Sequence, residues 1–185
     1  MTNYPFTTID TFSDLETLNH FATVQRDGGD EEAALAGYRF FGRDNARTPV
    51  QWDDSTEAGF TSGTPWLPVN PNYSEINAAA AVADPDSVFH HYRKLIALRH
   101  EDRVVSHGDY ALLLPEDEQV YAFARTLGTE GALVVVNVSS RPATASIDEQ
   151  YASLDAKPIS QNYPDSPELS GSVNLRPWEA VVWRW

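Results

Sequence analysis

The hydrophobic pattern of this chain changes its period near residue 103, and that change most restricts the folds it can adopt. Before it, the run ADPDSVFHHYRKLIALRH places apolar side chains at helical spacing. After it, short apolar or alternating runs lie between turn residues: DYALLLP, QVYAFARTL, ALVVVNVS and TASID. The sequence therefore predicts an α+β chain, with a helical and irregular part over residues 1–102 and an antiparallel β-sandwich over residues 103–185.

The last run, VNLRPWEAVVWRW, has the same alternating character. Pro177 is expected to interrupt it, because proline has no N–H to donate to a neighbouring strand. The pattern then predicts a strand with Val181, Trp183 and Trp185 on one face and Val182 and Arg184 on the other.

Capping signals divide the first part into helices. The run from Asp14 to Gln25 predicts a helix that stops at Gly28-Gly29. Asp30 is expected to cap the next helix, EEAALAGYRFF, whose acidic first turn suits the helix dipole. Gly42 is expected to end it.

A long polar stretch and a third helix follow. Residues 43–75 are rich in Asp, Asn, Pro, Gly and Thr, which predicts an irregular segment of a length that is usually functional. Beyond it, Asp84 is expected to be the N-cap of the third helix, with Pro85 at the first helical position.

The charge of the chain restricts its partners. The 185 residues carry a net charge of −14, with a pI near 4.5. Nucleic acids and anionic membranes attract basic surfaces, so neither is an expected partner, and a neutral ligand is favoured.

Several kinds of site and location are also unexpected. Cysteine is absent, and the histidines follow no zinc-binding spacing, so no metal site is predicted. The sequence contains no glycine-rich nucleotide loop, so no cofactor is predicted. Neither a signal peptide nor a membrane-spanning apolar run is evident, and the expected location is cytoplasmic.

The stretch GRDNARTPVQWDD, from Gly42 to Asp54, carries the densest set of planar hydrogen-bonding groups. Aspartate can hold the rigid fork of an arginine in place, and such pairs bind sugar hydroxyls well. A structural loop pinned by Arg–Asp pairs near a domain boundary would have the same composition. From the residues alone, both interpretations stay open.

Five segments have a distinctive sequence: RDNARTPVQWDD, AGFTSGTPWLPVNPNY, EIN, DPDSVFHHYRKLIALRH and LRPWEAVVW. Together they resemble glycoside hydrolase family 13, the α-amylase family, in its oligo-1,6-glucosidase and α-glucosidase branch. Upstream, MTNYPFTTID and DLETLNH resemble the segment just after the eighth barrel strand. The resemblance covers essentially the whole chain.

This resemblance implies a fold and an activity. Residues 1–102 would be the last part of a catalytic β/α barrel, and residues 103–185 the β-sandwich that follows it. Family enzymes hydrolyse α-glucosidic bonds with retention, using three carboxylates on earlier barrel strands. The motifs around those carboxylates are not found here, so no catalytic residue is predicted and the chain alone is expected to be inactive.

The resemblance also implies roles for particular residues. Arg43 would reach an α-glucosidic oligosaccharide near the scissile bond, and Glu16 would line the same side. Asp44 and Arg47 would support the loop. Trp52 and Trp66 are expected to pack against protein, in preference to covering a sugar.

Two other interpretations remain. A free-standing carbohydrate-binding or interaction module would use exposed tryptophans, with Trp178, Trp183 and Trp185 as candidates. In a split glycosidase, a second chain would supply the missing barrel strands. If the chain derives from a barrel, the apolar face with Phe89, Tyr92 and Leu95 is expected to lie on the missing barrel strands. Without those strands, its cover would be the sandwich, a second copy of the chain or solvent.

Overall fold

The computed structural model describes residues 2–165 and 167–185 and divides into two compact units. One unit runs to His90, and the second is His91–Trp185. The first is built from helices and irregular segments, and the second contains the β-sheets. No helix in the described ranges has the length and apolar character needed to cross a membrane. The assignment of residues 1–102 to a barrel stays a prediction.

Two well-capped helices lead the first unit: α1 spans Leu15–Arg26 and α2 spans Glu31–Phe41. The Asp14 carboxylate accepts the Thr17 N–H, and the Asp30 carboxylate accepts the Ala33 N–H. Gly42 directly follows α2. Both predicted helices, the cap at Asp30 and the end at Gly42 are therefore confirmed, whereas the cap at Asp14 was not predicted.

The start of the third predicted helix is wrong. A short helix α3 spans Ala78–Ala83, and α4 spans Val88–Glu101, so α4 starts after Pro85. Asp84 ends α3, and its carboxylate accepts the Asp86 N–H at 2.9 Å. The Asp84 side chain stabilises a turn between α3 and α4, and so it does not cap α4.

Residues 43–75 are irregular, as predicted, and contain only short 3-10 turns: Arg43–Ala46, Thr56–Gly59 and Pro71–Ser74. The buried apolar side chains of this unit include Phe6, Phe12, Phe21, Ala58 and Leu67. The rings of Phe6 and Phe12 stack with centroids 4.3 Å apart. Ala58 and Leu67 belong to the irregular segment, which therefore contributes to the core of the first unit.

In residues 91–165 and 167–185, the second unit has seven strands. They are β1 Asp109–Leu113, β2 Val120–Leu127, β3 Glu130–Asn137, β4 Ala143–Ser146, β5 Lys157–Gln161, β6 Ser172–Leu175 and β7 Ala180–Arg184. Five form an antiparallel sheet in the order β1-β2-β3-β7-β5, and β4 pairs with β6. The C-terminal antiparallel β-structure and the α+β class are thus as predicted.

Two short helices of the second unit were not predicted, and neither was α3 of the first. Helix α5 spans Arg103–His107, and α6 spans Glu149–Ala152. Strand-like alternation was expected from about Val104, but the Asp102 carboxylate accepts the N–H groups of Val104 and Val105 and starts a helical turn. Capping at Asp102 therefore overrides the local alternation.

The core of the second unit lies between the two sheets. It includes Val120, Leu133, Val135, Val173 and Leu175, together with inward-facing residues of β7. Along β7, Val181 and Trp183 are buried and Trp185 packs against the same cluster. The predicted alternation of this strand is confirmed.

Candidate active-site wall

Glu16 and Arg43, the two predicted substrate-binding residues, lie side by side. Arg43 Nη2 is 3.2 Å from Glu16 Oε2, and the two side chains are 63% and 73% exposed, respectively. Glu16 lies in the first turn of α1, and Arg43 begins the 3-10 turn after α2. Two segments distant in sequence thus present one exposed ion pair. That this pair binds substrate stays a prediction.

Gly42 determines how sharply the chain turns between the end of α2 and Arg43. A Cβ atom at Gly42 would lie 2.5 Å from the carbonyl oxygen of Tyr38 and 3.5 Å from the Phe12 ring. The Gly42 N–H donates to that same carbonyl at 2.8 Å. Only glycine fits this close approach without displacing the backbone, so the chain turns sharply at the end of α2.

Asp44 connects the residues just before α1 with the turn that carries Arg43. Its side chain is fully buried, and Oδ2 accepts the N–H groups of Ser13 at 2.6 Å and Asp14 at 3.0 Å. Its Oδ1 is buried with no hydrogen-bond donor from the described chain, and Arg47 Nη1 lies 3.7 Å away. Asp44 therefore holds the residues that lead into α1 against the turn that carries Arg43.

Arg47 completes the connection through Asp14. Arg47 Nη1 donates to Asp14 Oδ1 at 2.8 Å, and Asp14 Oδ2 accepts the Thr17 N–H at 3.1 Å. The pKa of Asp14 is lowered, first because the Thr17 N–H stabilises the carboxylate and further because Arg47 lies beside it. These contacts support the predicted role of Asp44 and Arg47 in bracing the loop.

A groove of about 510 Å³ extends from the Glu16–Arg43 pair between α1 and α2. Its polar and aromatic lining also includes His20, Tyr38 and Phe41. His20 Nδ1 and the Tyr38 hydroxyl form a hydrogen bond. None of these three residues was predicted, although His20 follows Glu16 by one helical turn.

The expectation that Trp52 and Trp66 pack against protein is wrong for the chain described. Their side chains are 54% and 68% exposed, respectively. The Trp52 backbone is held by a hydrogen bond from its N–H to the Ala58 carbonyl, but this contact does not cover the ring. Both rings are thus available on the surface of the first unit.

The three tryptophans considered for a sugar-binding sandwich have different environments. Trp178 is 59% exposed and Trp183 is 1% exposed, while Trp185 packs partly against the core. The three rings therefore do not form one exposed platform.

Comparison with known families gives two adjacent matches. Residues 6–108 match the family described as "Alpha amylase, catalytic domain", and residues 120–182 match "Alpha-amylase SusG C-terminal domain". The first match covers more than half of the chain.

Individual relatives match over almost the entire chain. It is 44% identical over 186 residues to an oligo-1,6-glucosidase of Parageobacillus thermoglucosidasius, and 38% identical over 183 residues to a trehalose-6-phosphate hydrolase of Escherichia coli. These alignments cover 100% and 99% of the chain but only 33% of each relative, so the chain spans about one third of their length.

Solved structures show the same relationship. The Bacillus licheniformis trehalose-6-phosphate hydrolase matches with a TM-score of 0.91 and 40% identity, over 100% of this chain and 34% of that protein. The trehalulose synthase MutB from Pseudomonas mesoacidophila MX-45 matches with a TM-score of 0.88 and 41% identity, over 100% of this chain and 33% of that protein. The chain therefore belongs to the α-amylase family, glycoside hydrolase family 13.

Proposed function

We propose that this chain is the C-terminal part of an oligo-1,6-glucosidase-like α-glucosidase. In the complete enzyme, Glu16 and Arg43 would form part of the wall that binds an α-glucosidic oligosaccharide near the scissile bond. Relatives named oligo-1,6-glucosidase and glucan 1,6-alpha-glucosidase support this substrate class. Relatives named trehalose-6-phosphate hydrolase match at 37–40% identity, which overlaps the 38–44% of the relatives named oligo-1,6-glucosidase.

The main support for the proposal is the exposed Glu16–Arg43 ion pair, which is held in place by buried residues. An exposed pair contributes about 0–1 kcal/mol to stability, so the fold gains little from holding Glu16 and Arg43 beside each other. Asp44 and Asp14, which connect the two segments that carry this pair, are buried. A guanidinium with several donors beside a carboxylate with several acceptors suits the vicinal hydroxyls of a sugar.

The same proposal predicts that the chain alone does not hydrolyse glycosides. Retaining hydrolysis needs a nucleophilic carboxylate and a second carboxyl group about 5–5.5 Å away, on opposite sides of the scissile bond. In the proposed assembly, both belong to earlier barrel strands. Those strands would also cover the exposed residues of α4, which include Phe89 and Tyr92. They could belong to the same polypeptide or, in a split enzyme, to another.

A chimera tests the proposed substrate role. In the Parageobacillus thermoglucosidasius enzyme, the third that matches this chain would be replaced by the chain itself. The chimera is expected to hydrolyse isomaltose, and Glu16→Gln or Arg43→Ala should lower kcat/KM about tenfold or more, as expected for lost charged hydrogen bonds.

Arg26→Ala is the matched control for Arg43→Ala. Arg26 also forms an exposed ion pair, with Asp27, but it lies at the far end of α1 and does not line the groove. An active chimera with unchanged kcat/KM in both Glu16 and Arg43 variants would refute the proposed substrate contact.

A further inference from the structure

The groove between α1 and α2 has the composition of a sugar subsite. Its volume, about 510 Å³, lies within the range of about 300–1,000 Å³ that is typical of small-molecule pockets. The apolar lining comes from Ala33, Ala34 and Phe41, and the polar groups converge from α1 and the Arg43 turn. Such pockets usually combine an apolar wall with a few placed polar groups.

Phe41 supplies the aromatic wall of this groove. Its side chain is 82% exposed. The adjacent Phe40 is 70% exposed and does not line the groove, and the two rings meet edge to face with centroids 4.8 Å apart. One face of a pyranose ring carries mainly C–H groups, which pack well on such an aromatic surface.

His20 supplies a polar group on the opposite helix. It follows Glu16 by four residues, so the two side chains lie on the same face of α1. The hydrogen bond between His20 Nδ1 and the Tyr38 hydroxyl orients the imidazole across the groove. No group in the described ranges of the chain bonds to the other ring nitrogen, Nε2, which can therefore bond a ligand hydroxyl.

The charges of the groove favour a neutral ligand. Its two carboxylates each have a cationic partner, because Asp14 pairs with Arg47 and Glu16 pairs with Arg43. An anionic ligand would meet the carboxylates of Glu16 and Asp14 with no unpaired cation to attract it. A cationic ligand would meet Arg43 with no unpaired carboxylate to attract it. A neutral hexose unit meets only hydrogen-bonding groups and the Phe41 ring.

We infer that this groove binds a hexose unit of the oligosaccharide beyond the unit that contacts Glu16 and Arg43. Phe41 stacks on the sugar ring, and His20 binds one of its hydroxyls. This inference rests on the proposed function, because the groove is continuous with the Glu16–Arg43 pair. Phe41 and His20 are thereby specificity residues for longer α-glucosidic substrates.

Binding of isomaltotriose to the purified 185-residue chain tests the inference, with amide chemical shifts as the readout. We expect saturable shift changes at the groove-lining positions, weaker binding of isomaltose, and no saturable change with glucose 6-phosphate. Phe41→Ala should weaken isomaltotriose binding about fivefold to tenfold. Phe40→Ala is the matched control, because it also removes the edge-to-face ring pair but leaves the groove wall intact.

Three outcomes would overturn the inference: equal weakening by the two phenylalanine variants, saturable shifts that map away from the groove, or no saturable shift in the folded chain. His20→Ala, which leaves the Phe41 wall in place, is expected to weaken binding as well. These outcomes are distinct from failure of the proposed function. That function depends on hydrolysis by the chimera and on its loss in the Glu16 and Arg43 variants.

Discussion

Arg47 Nη1 donates to Asp14 Oδ1 at 2.8 Å, and this contact ties the turn after α2 to the N-cap of α1. Asp44 makes a parallel connection through the backbone N–H groups of Ser13 and Asp14. Both connections use buried carboxylates, whereas the Glu16–Arg43 pair that they support is exposed. The separation of that pair therefore depends partly on Asp44, whose side chain is fully buried.

Removal of the buried Asp44 carboxylate should destabilise the chain. Asp44→Ala leaves the N–H groups of Ser13 and Asp14 without their acceptor, and an unsatisfied buried donor costs about 1–3 kcal/mol. We expect the free energy of unfolding to fall by about 2–4 kcal/mol in urea denaturation followed by circular dichroism. Asp54→Ala, at an exposed position, is the control and should change it by less than about 0.5 kcal/mol. Equal effects of the two variants would contradict the structural role of Asp44.

The second unit depends on a different buried carboxylate. Glu179 is 1% exposed, and Arg176 Nε donates to it at 3.0 Å. Arg176→Ala would leave Glu179 without its cationic partner, and breaking a fully buried pair costs about 3–5 kcal/mol. Because the Arg176 side chain is itself 38% exposed, we expect a smaller loss of about 2–3 kcal/mol in the free energy of unfolding.

Arg26→Ala is the control for this experiment, since its ion pair with Asp27 is exposed on both sides. It should alter the free energy of unfolding by less than about 0.5 kcal/mol in the same urea titration. A loss of comparable size in the two arginine variants would show that burial of Glu179 does not determine the effect.

Acid should destabilise the chain partly through Asp102. Burial alone would raise the pKa of Asp102, but the Arg184 guanidinium and the N–H groups of Val105 and Val104 outweigh it and lower the pKa below its ordinary value. A carboxylate with a lowered pKa in the folded state stabilises that state above its unfolded pKa, about 3.9. This stabilisation is lost as the pH falls through the lower, folded-state pKa.

We therefore expect the free energy of unfolding to decrease as the pH is lowered from about 5, and to decrease less steeply in Asp102→Asn. Urea titrations at a series of pH values measure both slopes. Unchanged pH dependence in Asp102→Asn would contradict the assigned role of the Arg184–Asp102 contact.

Helix α4 should promote self-association of the isolated chain. Phe89, Tyr92 and Ile96 are 46%, 63% and 55% exposed, respectively, which leaves an apolar face in water. Tyr92→Glu should weaken association at least about tenfold in sedimentation equilibrium. Arg93→Glu, at the exposed neighbouring position, is the control; a monomer at all concentrations before any substitution would rule out self-association.

Local signals were sufficient to predict α1, α2 and most strands. Aspartates at Asp14 and Asp30 mark the starts of α1 and α2, and alternation along β7 correctly places Trp183 in the core. The start of α4 was wrong, because the Asp84 side chain can also cap a turn and only the fold of α3 decides between the two. Strand β5 was missed, since KPISQ has no apolar alternation and pairs with β7 through a bulge.

The candidate site was predictable only in part. Glu16 and Arg43 were predicted from motif resemblance, but nothing in their own spacing shows that they meet. The groove residues His20 and Phe41 were missed because each helix alone shows an ordinary amphipathic pattern, and only the packing of α1 against α2 brings them together. The exposure of Trp52 and Trp66 likewise depends on what covers the loop in three dimensions.

Hydrolysis of isomaltose and p-nitrophenyl α-glucoside, measured for the purified chain and for the chimera, tests the proposed function. We predict no turnover by the chain and clear turnover by the chimera, reduced about tenfold or more by Glu16→Gln. Hydrolysis by the purified chain itself would refute the proposed function, because a carboxylate pair within the 185 residues would then have to perform the reaction.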